Sequence, residues 1–148
     1  MAERAGASMV IDADPGSILD VIADLESYPQ WSSSITAVRI LAEDDLGWVD
    51  QAELTLEHPM FKDTYALDYT WDVEEDGVGV VSWALLRGEV ITLMDGSYTL
   101  TATADGRTEV TYDLEFDVSV PMPVAIKRKV EETIIDSALR ELKTRVEG

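Results

Sequence analysis

Residues 11–31 read "IDADPGSILDVIADLESYPQW". Asp14 can accept from the free N–H groups of a first helical turn, and Pro15 follows where a missing N–H loses no hydrogen bond. Ile18, Ile22 and Leu25 recur at helical spacing with Val21 beside them, which predicts a helix of about ten residues. Pro29 ends it and disfavours helical angles at Tyr28. A helix this short is not stable alone in water. It has to lie on a larger body, with Tyr28-Pro29-Gln30-Trp31 pinning its exit.

Working outward, the chain on both sides reads as strand. Residues 7–13, "ASMVIDA", precede the helix, and "SSS" connects it to a series of strand-like segments. These are 35–43, 48–58, 63–75, 78–90, 97–104 and 107–120. They are punctuated by Asp44-Asp45, Pro59, Asp76-Gly77, Met94-Asp95-Gly96, Asp105-Gly106 and Pro121. Turn signals at this spacing predict antiparallel meander pairing. After Pro121 and Pro123 a final helix begins. Ile126, Val130, Ile134, Ala138 and Leu142 step by four along one face, and Ile135, Leu139 and Val146 widen it. At more than about 20 residues it is long enough to cross a whole sheet. Helices packed on one face of an antiparallel sheet make an α+β protein.

Strand alternation divides the side chains into two faces. Tyr65, Leu67, Tyr69, Trp71 and Val73 share one face of their strand, and Val110, Tyr112, Leu114, Phe116 and Val118 share one face of the last. Ala52, Leu54 and Leu56 form the apolar set of residues 48–58. A three-residue loop at Ala104-Asp105-Gly106, with Gly106 left-handed, sets Tyr98 opposite Tyr112 and Leu100 opposite Val110. A two-residue turn would pair Thr99 with Tyr112 and spoil the apolar match. The same loop at Glu75-Asp76-Gly77 sets Trp83 beside Tyr69 and Val81 beside Trp71, although Val80 and Leu86 put apolar side chains on the other face of 78–90. Of the eleven aromatic residues in the chain, seven therefore fall on the inner face. Phenols and indoles need hydrogen-bond partners when buried. These rings either fill a wide gap between sheet and helix or line a cavity whose polar groups meet a ligand or water.

The chain has 148 residues, which predicts one domain with one core. Thirty acidic residues against 11 basic ones leave a net charge of −19. That balance disfavours nucleic acid and anionic membrane surfaces. No apolar run reaches the length of a membrane span, and "MAERAGASMV" lacks the pattern of a signal peptide. With no cysteine there is no disulfide, thiolate metal site or cysteine nucleophile. The expectation is a cytoplasmic protein without stable membrane insertion; nothing in the sequence bears on oligomeric state.

Little in the chain points to catalysis. His58, the one histidine, shares strand parity with Leu54 and Leu56 but has no second group to orient or share its proton. One histidine and no cysteine disfavour a zinc site. No glycine-rich phosphate loop precedes a helix. Ser32, Ser33 and Ser34 have no identifiable base, and the carboxylates lie on the polar faces of strands. No catalytic residue, metal ligand or cofactor site is assigned.

Three stretches carry a resemblance: 11–31, then "DGRTEVTYDLEFDV" at 105–118, then the amphipathic C-terminal helix behind Pro121-Met122-Pro123. Together they resemble the START-like or Bet v 1-like (SRPBCC) superfamily, and within it the polyketide cyclase/dehydrase and lipid-transport group. The resemblance spans nearly the whole chain. It implies the helix-grip fold, a seven-stranded curved antiparallel sheet wrapped around a long C-terminal helix, with two short helices after the first strand. The short helices would form a V supporting one end of the long helix, with the Tyr-Pro-x-Trp corner structural. It also implies a hydrophobic cavity. Its expected walls are Leu54, Leu56, Tyr65, Tyr69, Trp71, Trp83, Tyr98, Leu100, Tyr112, Leu114 and Phe116 from the sheet, closed by Val130, Ile134 and Ala138 from the helix. The expected partner is a hydrophobic small molecule or lipid. A cyclase/dehydrase-type enzyme and a protein-interaction module acting through the outer sheet face stay open as alternatives.

Overall fold

The structure, a computed structural model, describes residues 3–148; of the leader reading at 1–10, Met1 and Ala2 lie outside the described residues. The chain runs β1 (Glu3–Ile11), α1 (Pro15–Ala23), a 3-10 turn (Leu25–Ser27), α2 (Tyr28–Trp31), β2 (Ile35–Glu43), β3 (Val49–His58), β4 (Phe61–Val73), β5 (Gly79–Arg87), β6 (Ile91–Ala102), β7 (Thr108–Val118) and α3 (Val124–Glu147). The seven strands form one antiparallel sheet in the order β1-β7-β6-β5-β4-β3-β2. This is the α+β helix-grip architecture expected from the sequence, with α3 packed against the sheet.

Local chemistry explains most of the elements. Asp14 caps α1 by accepting from Ser17 N at 3.2 Å and Ser17 Oγ at 2.7 Å. Those bonds, the side-chain one foremost, hold its carboxyl below the usual range. Three hairpins share one turn design. Gly47, Gly77 and Gly106 each take positive φ at the third position of a three-residue loop. Gly77 is required twice over, because a Cβ there would stand 2.5 Å from Gly16 N, where the β4–β5 hairpin meets the start of α1. The expected registers follow: Tyr98 pairs with Tyr112 and Leu100 with Val110, and Tyr69 pairs with Trp83 and Trp71 with Val81.

Three details differ from the sequence reading. Met94-Asp95-Gly96 is not a turn but lies inside β6. Gly96 is there because Trp83 crosses it, and a Cβ would meet Trp83 Cζ2 at 2.7 Å. Asp95 meanwhile accepts from Leu85 N at 3.0 Å, beyond the last β5–β6 pair. Tyr28 is helical despite preceding a proline, at φ −51° and ψ −42°. Its buried ring and its hydroxyl bond to Ile22 O override the local preference. Ile126 is 41% exposed and does not join the buried stripe of α3.

That stripe is Val130, Ile134, Ile135, Leu139 and Leu142. Burial of each large apolar side chain stabilises by roughly 1.5–3 kcal/mol, so α3 contributes a large part of the core. Its C-terminal end is tied to β1 by Lys143 Nζ donating to Val10 O at 3.3 Å and Asp12 N donating to Glu147 at 2.9 Å. None of the helices is long and apolar enough to cross a membrane, among the described residues.

Candidate functional site

Between the sheet and the C-terminal half of α3 lies a cavity of about 90 Å³. Leu54 and Leu56 of β3, Tyr65, Leu67 and Tyr69 of β4, and Trp83, Met94, Tyr98 and Tyr112 of β5–β7 form its floor. Ile22, Tyr28 and Trp31 come from the helical corner, and Ile134, Ser137, Ala138 and Glu141 come from α3. The lining side chains that keep solvent exposure are Trp31, Ser32, Ser34, Ile35, Ser137, Ala138 and Glu141. They mark the mouth, between the α2–β2 connection and α3. Two contacts bridge it. Ser33 N donates to both carboxylate oxygens of Glu141 at 3.2 Å, and Arg145 donates to Gln30 Oε1 at 3.1 Å.

The cavity floor is aromatic and its rings touch. Trp83 lies 6.0 Å from Tyr69, 5.5 Å from Tyr98 and 5.6 Å from Tyr112, centroid to centroid. Tyr98 and Tyr112 meet edge-on at 4.9 Å, a favourable aromatic geometry. At the corner, Tyr28 and Trp31 pack edge-on at 5.1 Å. Burial pushes the phenols of Tyr28, Tyr65, Tyr69, Tyr98 and Tyr112 up from their ordinary value. For all but Tyr112, repulsion from a neighbouring phenolate adds to the effect. At neutral pH all five are therefore hydroxyl donors rather than bases.

Of the side chains expected from sequence to wall a cavity, the structure brings Leu54, Leu56, Tyr65, Tyr69, Trp83, Tyr98, Tyr112, Ile134 and Ala138 around this space. Leu100, Leu114, Phe116 and Val130 are buried in the surrounding core and do not border it. Trp71 stands apart. It packs on Trp48 at 5.0 Å, and its Nε1 donates to Val49 O at 2.7 Å. The sequence reading missed Trp31, Ser32 and Ser34, which only the folded corner brings to the mouth. It also missed Ser137 and Glu141, although their spacing of three and seven from Ile134 puts them on the same helical face. Met94 was hidden by its reading as a turn residue. His58 sits at the β3–β4 hairpin, outside the cavity lining. It stacks on Phe61 at 5.6 Å and accepts from Met60 N at Nδ1, 3.1 Å away. No cluster of His, Cys, Asp or Glu suited to a metal occurs among the described residues.

A seven-stranded sheet gripping one long helix over an internal cavity defines a helix-grip protein of the START type. The chain belongs to the polyketide cyclase/dehydrase and lipid transport family, whose profile matches residues 11–143. Among solved structures it is similar to a START superfamily protein from Mycobacterium smegmatis, at 22% identity over 97% of each chain and a TM-score of 0.87. It is similar to the Zhui aromatase/cyclase from Streptomyces sp. R1128, at 14% identity over 99% of this chain and 94% of that one, TM-score 0.78. A STAR-related lipid transfer protein from Xanthomonas axonopodis is likewise similar, at 17% identity over 98% of this chain and 86% of that one, TM-score 0.80. Identities this low carry the fold alone. No curated protein matches the chain in sequence.

Proposed function

We propose that residues 1–148 act as one ligand-binding domain that takes a hydrophobic small molecule or lipid into the cavity between sheet and α3. One observation supports this above the others. Aromatic side chains ring an apolar space, and four of their hydroxyls have no partner among the described residues. A core built only for stability would not leave such groups unpaired. Family membership points the same way, since it spans hydrophobic ligand binding, lipid transport and polyketide cyclisation. At about 90 Å³ the space is smaller than the roughly 150 Å³ that holds a benzene ring. A larger ligand therefore enters by parting α3 from the helical corner, which breaks the Ser33–Glu141 and Arg145–Gln30 bridges.

The cyclase/dehydrase reading has one feature in its favour, the inward cluster of phenol donors, which can polarise carbonyl groups. It lacks a base. The phenols are held protonated, and Glu141, the one ionisable lining group besides the tyrosines among the described residues, is engaged by Ser33 N. Shape and hydrogen bonding would have to carry such a reaction. The outer sheet face offers little to a protein partner. Of the exposed large apolar residues among those described, Leu86 alone lies on it, and a single exposed leucine is not a patch.

Two measurements test the proposal. Native mass spectrometry of protein purified from its own host should reveal a co-purified apolar molecule. The neutral fluorophore N-phenyl-1-naphthylamine should bind with a blue-shifted emission, and Ala138→Trp, which fills the mouth, should abolish that binding while the melt stays cooperative. Fluorophore binding that is unchanged in Ala138→Trp would place any ligand elsewhere and reject the proposal.

A further inference from the structure

Tyr65, Tyr69, Tyr98 and Tyr112 are 4%, 7%, 7% and 6% exposed. Tyr28, the fifth phenol here, has its hydroxyl committed to Ile22 O. The other four hydroxyls form no hydrogen bond with any described residue. Nor are they sealed off. Trp31 Nε1 is the one enclosed side-chain polar atom, among the described residues, that is both unpartnered and cut off from open space. Open space therefore reaches these phenol oxygens, and their residues line the cavity. Ring contacts through Trp83 gather the side chains of three, Tyr69, Tyr98 and Tyr112, on one patch of the floor.

Three kinds of ligand end can be set against this floor. A hydrocarbon end would displace the water that hydrates the hydroxyls and leave them unpaired, which is unfavourable for each buried donor. A carboxylate or phosphate end would be buried with no cation to compensate it. Among the described residues the cavity lining contains no lysine, arginine or histidine, Glu141 stands at the mouth, and the whole chain carries a charge of −19. A neutral end bearing a carbonyl oxygen meets neither objection. It presents lone pairs to donor hydroxyls and brings no charge.

We infer that Tyr69, Tyr98 and Tyr112 select, within the ligand class proposed above and on the premise that this cavity is its site, a neutral molecule whose buried end carries an acceptor oxygen such as a ketone, quinone, ester or amide carbonyl. Its carboxylate and hydrocarbon counterparts are rejected. Because burial raises the phenol pKa values, the three groups stay donors throughout the neutral range.

Isothermal titration calorimetry on the full chain at neutral pH, with three probes of one skeleton, tests this. The probes are tetralin, α-tetralone and tetralin-1-carboxylate. The ketone is expected to bind at least about tenfold more tightly than the hydrocarbon, and the carboxylate more weakly than either. The infrared carbonyl stretch of bound α-tetralone should shift to lower frequency than in hexane. In the Tyr69→Phe/Tyr98→Phe/Tyr112→Phe variant the ketone-to-hydrocarbon affinity ratio should fall to about one. Each single Tyr→Phe variant, which keeps its ring in place, should lower the ratio in part. Equal affinity for tetralin and α-tetralone, or an unchanged ratio in the single variants, would overturn the inference while leaving the cavity as a binding site. Binding of none of the three probes would overturn the cavity reading and the inference with it.

Discussion

Asp63 supplies three hydrogen bonds to the turn from β5 into β6. Its carboxylate accepts from three consecutive backbone N–H groups, those of Glu89 at 3.1 Å, Val90 at 2.9 Å and Ile91 at 2.8 Å. The residue is 5% exposed, and Gly88 leaves room for the approach, since a Cβ there would come within 3.1 Å of Asp63 Oδ2. Asp63→Ala removes all three acceptor contacts at once. A hydrogen bond to an ionised group contributes about 1.5–3 kcal/mol, and a stranded buried donor costs about 1–3 kcal/mol. Only the Ile91 N–H bond is buried; the other two are partly open and can rehydrate. Taking roughly 2 kcal/mol for the buried donor and roughly 1 for each of the others gives an expected loss of about 4 kcal/mol. Asp63→Asn keeps an acceptor oxygen but loses the charge, and should cost about half as much. Whole domains of this kind are stable by only about 5–15 kcal/mol, so Asp63→Ala should sit near the edge of folding. Guanidinium denaturation followed by tryptophan fluorescence and extrapolated linearly measures the loss. Amide exchange at residues 89–91 localises it. A loss below about 1 kcal/mol, or undiminished protection at Ile91, would refute the assignment of this turn to the carboxylate.

Gly96→Ala is expected to cost about 1–3 kcal/mol by overpacking, because the new methyl would stand 2.7 Å from Trp83 Cζ2 and 2.8 Å from Asp113 O. Thermal melts measure the cost, and the near-ultraviolet circular dichroism of the displaced indole should change with it. His58→Gln should alter binding of N-phenyl-1-naphthylamine by less than about tenfold, roughly 1.4 kcal/mol, because the imidazole is not among the cavity lining. The same substitution should flatten a pH dependence. Partial burial lowers the His58 pKa below 6.5 in the folded chain. The unfolded chain therefore binds more protons as the pH drops, so this contribution to stability is complete above 6.5 and is lost as the pH falls through the lower folded value. Denaturation midpoints of the two proteins across that interval check the sign.

The helix-grip architecture was legible in the sequence because its signals are local and repeat at fixed periods. The Asp14 cap, the two-residue alternation of strands such as β4 and β7, and the four-residue stripe of α3 each depend on neighbours within a few positions. Turn chemistry carried this as far as register: a left-handed glycine in a three-residue loop leaves one pairing that keeps the apolar faces together, and Tyr98 opposite Tyr112 follows from it. The family resemblance supplied the closure of the sheet around α3. What the folded chain alone decided concerns contacts between elements distant in sequence. Gly96 has the look of a turn glycine, and only the crossing of Trp83 makes it a strand residue. Tyr28 precedes a proline, and burial of its ring in the core, with its hydroxyl bond to Ile22 O, keeps it helical. Trp71 shares the parity of Tyr69 and stacks on it, yet it lies past the cavity beside Trp48, because alternation tells which face a side chain takes and not how far along the strand the cavity extends. The mouth is the extreme case. Trp31, Ser32, Ser34, Ser137 and Glu141 come together from segments about a hundred residues apart, and no local pattern encodes a meeting that exists only once α3 has docked.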